Sequence, residues 1–276
     1  MMERFLAAQI TDLHIKAAGK LSYRVVDTAG YLRRCVDAVL KLPQRPDCAL
    51  LTGDLTDFGR PEEYAELKKL LAPLAMPCYV IPGNHDDRDN MRAAFSNYAY
   101  MRQHPQFIQY AIDDWPLRIL ALYTVIPQES GGELCAARLE WLERELARKP
   151  TQPTLVIMHH PPFTTFIGHM DDIGLKGGEA LAKVLRKYDN VERVLCGHLH
   201  RPIETRFAGT IASTCPSPAH QVVLDLAADA ASNFVMEPPA FQLHLWTPQT
   251  GVVSHTAYVG AFDGPYPFRE EGELID

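Results

Sequence analysis

The stretch Phe5-Leu-Ala-Ala-Gln-Ile-Thr-Asp-Leu-His14 sets an apolar run directly before an Asp-x-His motif. Residues Phe5–Ile10 have the length and composition of a buried β-strand, and Asp12 and His14 come just after it. Because alternate residues of an extended chain point the same way, the carboxylate and the imidazole are predicted to reach one ion. Taken alone, the motif is explained better as a turn aspartate beside a partly buried histidine.

Four further motifs follow apolar runs in the same way. They are Gly53-Asp54 after Ala49–Leu51, Gly83-Asn84-His85-Asp86 after Tyr79–Ile81, His159-His160 after Leu155–Met158, and Gly197-His198-Leu199-His200 after Val194–Cys196. In an open α/β sheet, ligand-type side chains at strand ends share one edge, so the five motifs are predicted to converge in one sheet. Adjacent strand residues point to opposite faces, so only one of His159 and His160 is expected to be a ligand.

Together the motifs offer two carboxylates, one amide and four imidazoles. This set is too large for one zinc ion but suits two divalent ions about 3.5–4 Å apart, one carboxylate bridging them. The sequence therefore predicts a dinuclear metal site.

Composition excludes several classes of function. The chain has 276 residues, 47% of them hydrophobic, which is enough for one large domain with a real core. A net charge of -7 argues against a long nucleic acid as the substrate, although net charge alone does not exclude a local basic groove. No apolar run approaches the roughly 20 residues of a membrane span, and the run after Arg4 is too short for a secretory signal. The six cysteines lack CxxC spacing, which predicts a reduced, cytoplasmic protein.

Strand-like and helix-like segments alternate up to Arg201, with helical spacing at Tyr31–Leu42, Pro61–Leu74, Ala136–Ala147 and Gly178–Tyr188. Beyond Arg201 the helical period disappears, and antiparallel strands are predicted at Ile203–Phe207, Thr210–Thr214, Gln221–Leu226, Phe241–Trp246 and Val252–Tyr258. The predicted organisation is a core at 1–201, a segment of C-terminal strands at 202–260 and a surface tail at 261–276.

The ordered motifs resemble the signature of the calcineurin-like metallophosphoesterases, from Gln9 to about His200. Three longer stretches, Gly59–Tyr64, His159–Pro162 and Met170–Leu175, resemble the bacterial class III cyclic-nucleotide phosphodiesterases and the related glycerophosphodiesterases. The resemblance implies an α/β fold, a four-layer α/β/β/α sandwich of two mixed sheets. The strands after Arg201 would complete the second sheet and add a small β segment as a cap or dimer element.

The resemblance also implies a role for each motif residue. The first metal would be held by Asp12, His14 and His200, the second by Asn84, His159 and His198, with Asp54 bridging the two. His85 would be catalytic, facing the phosphate to stabilise its charge or to protonate the leaving oxygen. His220 is a candidate for substrate binding, although a loop histidine without a role fits nearly as well. The metals would be iron, manganese, zinc or cobalt, and mixed oxygen and nitrogen ligands do not choose among them.

The function so implied is hydrolysis of small phosphodiesters, cyclic nucleotides or glycerophosphodiesters or both, by attack of a metal-bound hydroxide. A phosphomonoesterase or nuclease on the same scaffold is the alternative, and a metal-free binding scaffold is a third, disfavoured because every ligand position is filled. A homodimer or higher homo-oligomer is expected, with no membrane partner; Phe234, Phe241 and Trp246 suit either its interface or the core. After the strand that ends at Leu122, relatives often carry an aspartate where this chain has Tyr123-Thr124, so which residue supports that side of the site is not predicted.

Overall fold

The structure is a computed structural model that describes residues 3–275. Met1 and Met2 of the predicted core, and Asp276 of the predicted tail, lie outside the described residues. In chain order the strands are β1 (Phe5–Ile10), β2 (Cys48–Thr52), β3 (Cys78–Ile81), β4 (Tyr110–Ile112), β5 (Arg118–Ala121), β6 (Gly132–Glu133), β7 (Thr154–Ile157), β8 (Leu175–Lys176), β9 (Val191–Cys196), β10 (Ile203–Phe207), β11 (Thr210–Thr214), β12 (Gln221–Val222), β13 (Phe234–Val235), β14 (Ala240–Thr247), β15 (Gly251–Tyr258), β16 (Arg269–Glu270) and β17 (Glu273–Leu274). The helices are α1 (Thr28–Leu40), α2 (Pro61–Leu71), α3 (Arg88–Ala94), α4 (Ala136–Arg148), α5 (Gly168–Asp171) and α6 (Gly178–Leu185), with a 3₁₀ turn at Ala99–Arg102.

Two mixed sheets form the centre of the molecule. The first has the strand order β15-β14-β1-β2-β3 and the second the order β10-β11-β9-β7-β5-β4. In the first sheet β1, β2 and β3 run parallel while β14 pairs with β1 antiparallel, and in the second β5, β7, β9 and β11 run parallel. The expected α/β class with two mixed sheets is confirmed.

Alternation along β7 shows how the layers arise. Leu155 and Ile157 belong to the core cluster that contains the first sheet and helices α1 and α2. Val156, between them, belongs to a second cluster that includes Leu142 of α4 and Leu181 of α6. Successive strand residues point to opposite faces, so a strand that is apolar throughout is buried on both sides. Helices therefore cover the outer face of each sheet, in four layers.

The expectation that the strands after Arg201 complete the second sheet is wrong in part. Only β10 and β11 join that sheet, whereas β14 and β15 extend the first. Phe5 pairs with Trp246 across the β1–β14 ladder, so the last long strands cover an edge that β1 would otherwise expose. Phe241 and Trp246 are 1% and 4% exposed, which places them in the core and not at an interface.

The single sheet predicted for the five motifs is also wrong. Three motifs follow β1, β2 and β3 in the first sheet, and two follow β7 and β9 in the second. The strands that carry them run parallel and end at the same side of the sandwich, so the loops of both sheets meet there. Within residues 3–275, no helix has the length and apolar character needed to cross a membrane.

Candidate metal centre

The motif residues lie beyond the strand ends, in left-handed backbone turns. Positive φ angles occur at Asp12 (54°), His14 (45°), Asp54 (49°), His198 (72°) and His200 (52°). The extended geometry predicted for Asp12 and His14 is therefore wrong, because β1 ends at Ile10 and the chain turns sharply after it. A left-handed residue other than glycine costs about 1–2 kcal/mol, and such strain concentrates at functional sites. The turns aim these side chains across the gap between the two sheets.

One group of predicted ligands meets around His14. Its Nε2 lies 3.2 Å from Nε2 of His200 and 3.7 Å from Oδ2 of Asp54. Oδ1 of Asp12 is 3.7 Å from His200 Nε2 and accepts the backbone N–H of His198, while Oδ2 of Asp12 is buried without a partner. Atoms of Asp12, His14 and Asp54 that can bind a metal all lie within 4.8 Å of one another.

A second group meets around His159. Its Nε2 lies 3.2 Å from Oδ1 of Asn84 and 3.4 Å from Oδ2 of Asp54. The ring of His198 is 5.2 Å from that of His159, centroid to centroid. Oδ2 of Asp54 thus stands between the two groups, within 3.7 Å of His14 on one side and 3.4 Å of His159 on the other. A carboxylate in that position can bridge two cations.

The four imidazoles each have one nitrogen fixed by an outer acceptor. Nδ1 of His14 faces Asp57 Oδ1 at 3.2 Å, and the Nδ1 atoms of His159 and His200 face the carbonyl oxygens of Thr52 at 2.9 Å and His220 at 3.0 Å. His198 uses Nε2 instead, 3.2 Å from the Ile173 carbonyl oxygen. An oxygen acceptor fixes the proton on the nitrogen facing it and leaves a lone pair on the other nitrogen.

Such a donor set fits a pair of divalent cations. The free lone pairs of His14 and His200 face each other, an arrangement that repels unless a proton or cation lies between them. The buried orphan oxygen of Asp12 and the shared oxygen of Asp54 add carboxylate ligands to the imidazoles. Oxygen and nitrogen donors of this kind suit several transition metals and zinc.

His160 is arranged differently from its neighbour His159. Nε2 of His160 donates to the Ser130 carbonyl oxygen at 3.1 Å, and Nδ1 accepts from the Thr124 hydroxyl at 2.9 Å. Both ring nitrogens are therefore in use, which agrees with the expectation that only one of the two histidines is a ligand. Thr124 supplies the support that the sequence left open at this position.

Charges in the cluster are strongly coupled. Burial raises the pKa of Asp12 to about 7 and lowers that of His198 to about 3. Burial also opposes charge on His159, but the neighbouring Asp54 carboxylate outweighs it and raises the His159 pKa to about 9. His159 in turn holds the pKa of Asp54 well below its usual range, against the effect of burial. A metal cation would replace the proton that His159 otherwise holds beside Asp54.

Two glycines allow the loops to approach this closely. A Cβ on Gly83 would collide with Oδ1 of Asp54, and a Cβ on Gly197 would lie 2.7 Å from the Thr52 carbonyl oxygen. Any side chain at either position would push the loops of the two sheets apart, so glycine is required there.

Asp86 fixes the loops that carry Asp54 and Asn84. Its carboxylate accepts the backbone N–H groups of Leu55, Thr56 and Gly83 at 2.9–3.1 Å, and the hydroxyls of Thr56 and Tyr64, both at 2.9 Å. Asp86 is therefore a buried anchor for both loops.

His85 lies beside the cluster and faces the cavity. Its backbone N–H donates to Oδ1 of Asp54 at 2.9 Å, and its Nδ1 lies 2.9 Å from the Asp57 carbonyl oxygen. Nε2 is the nitrogen left to meet a substrate. Asp57 itself is buried, pairs with Lys16 at 2.9 Å and holds His14, so it supports the site. Burial opposes its charge, but the hydrogen bond from His14 lowers the Asp57 pKa to about 2.

A cavity of about 270 Å³ opens over the cluster. His220 reaches it with its ring 4.7 Å from that of His200, and its Nδ1 is buried without a partner. His169 and Met170 also line it. The sequence assigned Phe234 to either an interface or the core. In the structure it lies at the rim of this cavity, with its ring centroid 5.2 Å from that of His220.

Sequence reasoning missed three rim residues, Tyr23, Ser232 and Asn233. Tyr23 belongs to an exposed loop and stacks near Phe234 at 5.0 Å, although more than 200 residues separate them. No local pattern marks such a contact. The two-residue strands β12 and β13 bring it about, by pairing Val222 with Phe234 beside the cavity.

Comparisons with known proteins show which family this chain is similar to. The family model described as calcineurin-like phosphoesterase matches residues 5–202. A protein of Arcobacter nitrofigilis, named as a probable glycerophosphodiester phosphodiesterase, is 44% identical over 273 residues, covering 98% of this chain and 100% of the relative. A protein of Mycobacterium tuberculosis, named as a cAMP/cGMP dual specificity phosphodiesterase, is 32% identical over 284 residues, covering 99% and 88%.

Solved structures agree on the fold. A dimetal phosphatase from Danio rerio superposes with a TM-score of 0.61 at 18% identity, covering 93% of this chain and 99% of that one. At that identity the similarity concerns the fold alone.

Proposed function

This chain belongs to the calcineurin-like phosphoesterase family, and on that premise we propose that it hydrolyses small phosphodiesters at a centre of two divalent metal ions. The observation that carries the proposal is the orientation of four imidazoles in the two groups around Asp54. Each has its outer nitrogen held by an oxygen acceptor and its other nitrogen available to a cation, which displaces any proton there. Glycerophosphodiesters and cyclic nucleotides are the proposed substrates, since the two relatives described above are named for them.

We assign the metal ligands to the two groups around Asp54. Asp12, His14 and His200 would hold one ion, Asn84, His159 and His198 the other, and Asp54 would bridge them. The family implies a dinuclear divalent centre, and iron, manganese, zinc and cobalt are the proposed occupants. Such a pair, when bound, acidifies a water molecule and neutralises charge on the phosphate.

The residues of the chain perform the remaining steps. Hydrolysis breaks the bond between phosphorus and the leaving oxygen, which then needs a proton or a hydrogen bond. The Asp57 carbonyl oxygen accepts from Nδ1 and fixes the His85 ring, so Nε2 would donate that proton when the ring is doubly protonated. Oδ1 of Asp57 also lies 3.9 Å from that Nδ1, and a positioned histidine is the commonest group for proton transfer to a leaving oxygen. We assign the contact with the rest of the substrate to His220, whose free Nδ1 can accept a leaving-group hydroxyl.

The residues that line the cavity favour small substrates over long nucleic acid. The lining of the cavity, all of it within the described residues, includes no lysine or arginine, whereas nucleic-acid contacts depend on those side chains. We propose a water-soluble diester as the substrate. We also place the protein in the cytoplasm, because its six cysteines are all free thiols, as expected in a reducing compartment.

We propose that residues 1–201 form the catalytic core and that the segment 202–260 contains the cap. Within that segment, Val222 and Phe234 lie beside the cavity and support this assignment. We further propose a homodimer or larger homo-oligomer, supported by the exposed aromatic side chains of the C-terminal tail. Phe262, Tyr266 and Phe268 follow one another within seven residues and are 66%, 73% and 87% exposed. Exposed apolar side chains that are grouped, unlike single ones, mark interaction sites. Light scattering of the chain with and without residues 261–276 tests this interface.

The decisive test of function is a kinetic comparison on metal-replete protein. We expect hydrolysis of bis(p-nitrophenyl) phosphate, and of at least one of glycerophosphoethanolamine, 2′,3′-cyclic nucleotides and 3′,5′-cyclic AMP, at a higher kcat/KM than p-nitrophenyl phosphate. A preference for the monoester would instead favour the phosphomonoesterase alternative. No turnover of any diester by metal-loaded protein would contradict the proposal.

A further inference from the structure

A second cavity, of about 290 Å³, lies between the two sheets away from the metal cluster. Arg193 of β9 and Ser213 of β11 line it from the second sheet, and Gln242 of β14 and Ser254 of β15 from the first. Glu204 and Thr256 stand at its solvent side. We call this space the inter-sheet cavity.

The inner faces of the two sheets change from apolar to polar at this end of the sandwich. Arg193 lies two residues before Leu195 on β9, so both point towards the first sheet. Leu195 belongs to the apolar core, yet Arg193 is 8% exposed and Ser213 and Gln242 are 3% and 7% exposed. Polar groups buried this deeply need partners, since an unpaired one costs about 1–3 kcal/mol.

Those partners are missing among the described residues. Nε of Arg193, Oγ of Ser213 and Oε1 of Gln242 are all buried without a hydrogen bond. No carboxylate within the described part of the chain forms an ion pair with Arg193, whose one side-chain contact is the Ser254 hydroxyl at 2.8 Å. A buried guanidinium without an anion is unfavourable.

The hydroxyl of Ser254 accepts from Arg193 and donates to His244, but it is neutral and does not supply the negative charge that a buried guanidinium requires. Gln9 donates its amide hydrogens to Thr52 Oγ1 and the Cys196 carbonyl oxygen, so its Oε1 accepts from His244 Nε2 at 3.0 Å. Nδ1 of His244 therefore accepts from Ser254, at 2.7 Å. This chain of bonds holds Ser254 and Arg193 in place and leaves the rest of the guanidinium facing the cavity.

We propose that the inter-sheet cavity is a binding site for a phosphate group, either inorganic phosphate or a small phosphomonoester. Arg193 offers a charged donor and Ser213 a hydroxyl donor from the second sheet. Gln242 of the first sheet, whose Oε1 is unpaired among the described residues, offers its NH₂ group after rotation of the amide. Donors that converge from two facing sheets suit a tetrahedral anion, whose oxygens point in several directions, better than a planar carboxylate. The volume accommodates a phosphate together with water, at roughly 30 Å³ of liquid per water molecule.

Glu204 at the mouth is the competing partner. It lies on β10 opposite Ser213 and its charge acts on Arg193, although the two form no ion pair in the described residues. A phosphate bound at Arg193 must exclude this carboxylate from the cavity. The proposal is independent of the metal centre and of the reaction assigned to it.

Equilibrium dialysis with labelled inorganic phosphate on metal-loaded protein tests the proposal. We expect two classes of site, one of which is lost in Arg193→Met while phosphodiester turnover persists. Arg206→Met, which replaces an exposed arginine on β10 of the same sheet, should keep both classes. Ser213→Ala, a milder change that keeps the charge, should weaken the second class about tenfold. Glycerol 3-phosphate should compete for the site if a phosphomonoester is the ligand, and inorganic phosphate alone should fill it otherwise.

Crystals soaked in tungstate, a heavy tetrahedral oxyanion, locate the site directly. The expected result is an anomalous peak among Arg193, Ser213 and Gln242 in the parent protein, absent from Arg193→Met. A single class of phosphate site, acetate binding as tightly as phosphate, or Glu204 paired with Arg193 in tungstate-soaked crystals would each overturn the proposal.

Discussion

Replacing Asp86 by alanine should damage both stability and the metal centre. The carboxylate is 8% exposed and is the common acceptor for the loop after β2 and the loop after β3. Asp86→Ala leaves the backbone N–H groups of Leu55, Thr56 and Gly83 without their acceptor. Asp54 and Asn84 lie on these same loops, so their positions depend on the anchor.

The structure sets the size of the effect. Each buried donor left unpaired costs about 1–3 kcal/mol, which for three backbone donors sums to about 3–9 kcal/mol. Water that enters the vacated space would satisfy part of this demand. We therefore expect the free energy of unfolding to fall by about 3–5 kcal/mol, at the lower end of that range. Asp86→Asn, which keeps one acceptor oxygen, should fall between alanine and the parent.

Urea unfolding of the metal-free protein measures the stability, and competition with a chelator measures metal affinity. Asp89→Ala is the matched control, because its exposed carboxylate contacts only Arg88 at 3.0 Å. Surface pairs of that kind contribute about 0–1 kcal/mol. The reasoning is refuted if Asp86→Ala loses no more stability than Asp89→Ala and binds metal as tightly as the parent.

Three further changes probe separate parts of the account. His85→Ala should lower kcat on a diester by a factor of about 10²–10⁴ and leave the metal content per chain unchanged. His255→Ala is the control, because His255 is exposed on β15. If His85→Ala turns over the diester as fast as the parent, His85 has no part in the mechanism. Thr124→Val should lower the free energy of unfolding, measured in urea, by about 1 kcal/mol, because it removes the hydroxyl that donates to His160. A variant as stable as the parent would show that this hydrogen bond is dispensable. Burial lowers the pKa of His244 to about 3 in the folded protein. Between that pH and the higher pKa of the unfolded chain, only the unfolded chain binds a proton at this histidine. The free energy of unfolding therefore falls as the pH drops. From pH 7 to pH 5 the parent should therefore lose about 2 kcal/mol more than His244→Gln, and equal losses would contradict the buried neutral ring.

The strand positions were predictable because their apolar runs are local signals. Val194–Cys196 and Leu155–Met158 both fall on observed strands, to within a few residues. The motifs after them were predictable as a set because metal chemistry restricts the residue types. The course of the backbone through Asp12 and Asp54 was not, because a left-handed turn by a residue other than glycine leaves no mark in composition.

Contacts between residues far apart in the sequence could not be predicted, for a different reason. The pairing of β14 with β1 joins residues more than 200 positions apart, and either sheet could have received that strand. Thr124 was noticed only as a departure from an expected aspartate, because its bond to His160 depends on the spacing of β5 and β7. Tyr23 and Asn233 at the cavity rim likewise follow from loops that meet only in three dimensions.

The central claim is that Asp54 lies between two metal ions held by loops of both sheets. Anomalous diffraction from crystals grown with manganese tests it most directly. The account predicts two peaks about 3.5–4 Å apart on either side of the Asp54 carboxylate, one beside His14 and the other beside His159. A single peak, or ions bound elsewhere with Asp54 contacting neither, would contradict it.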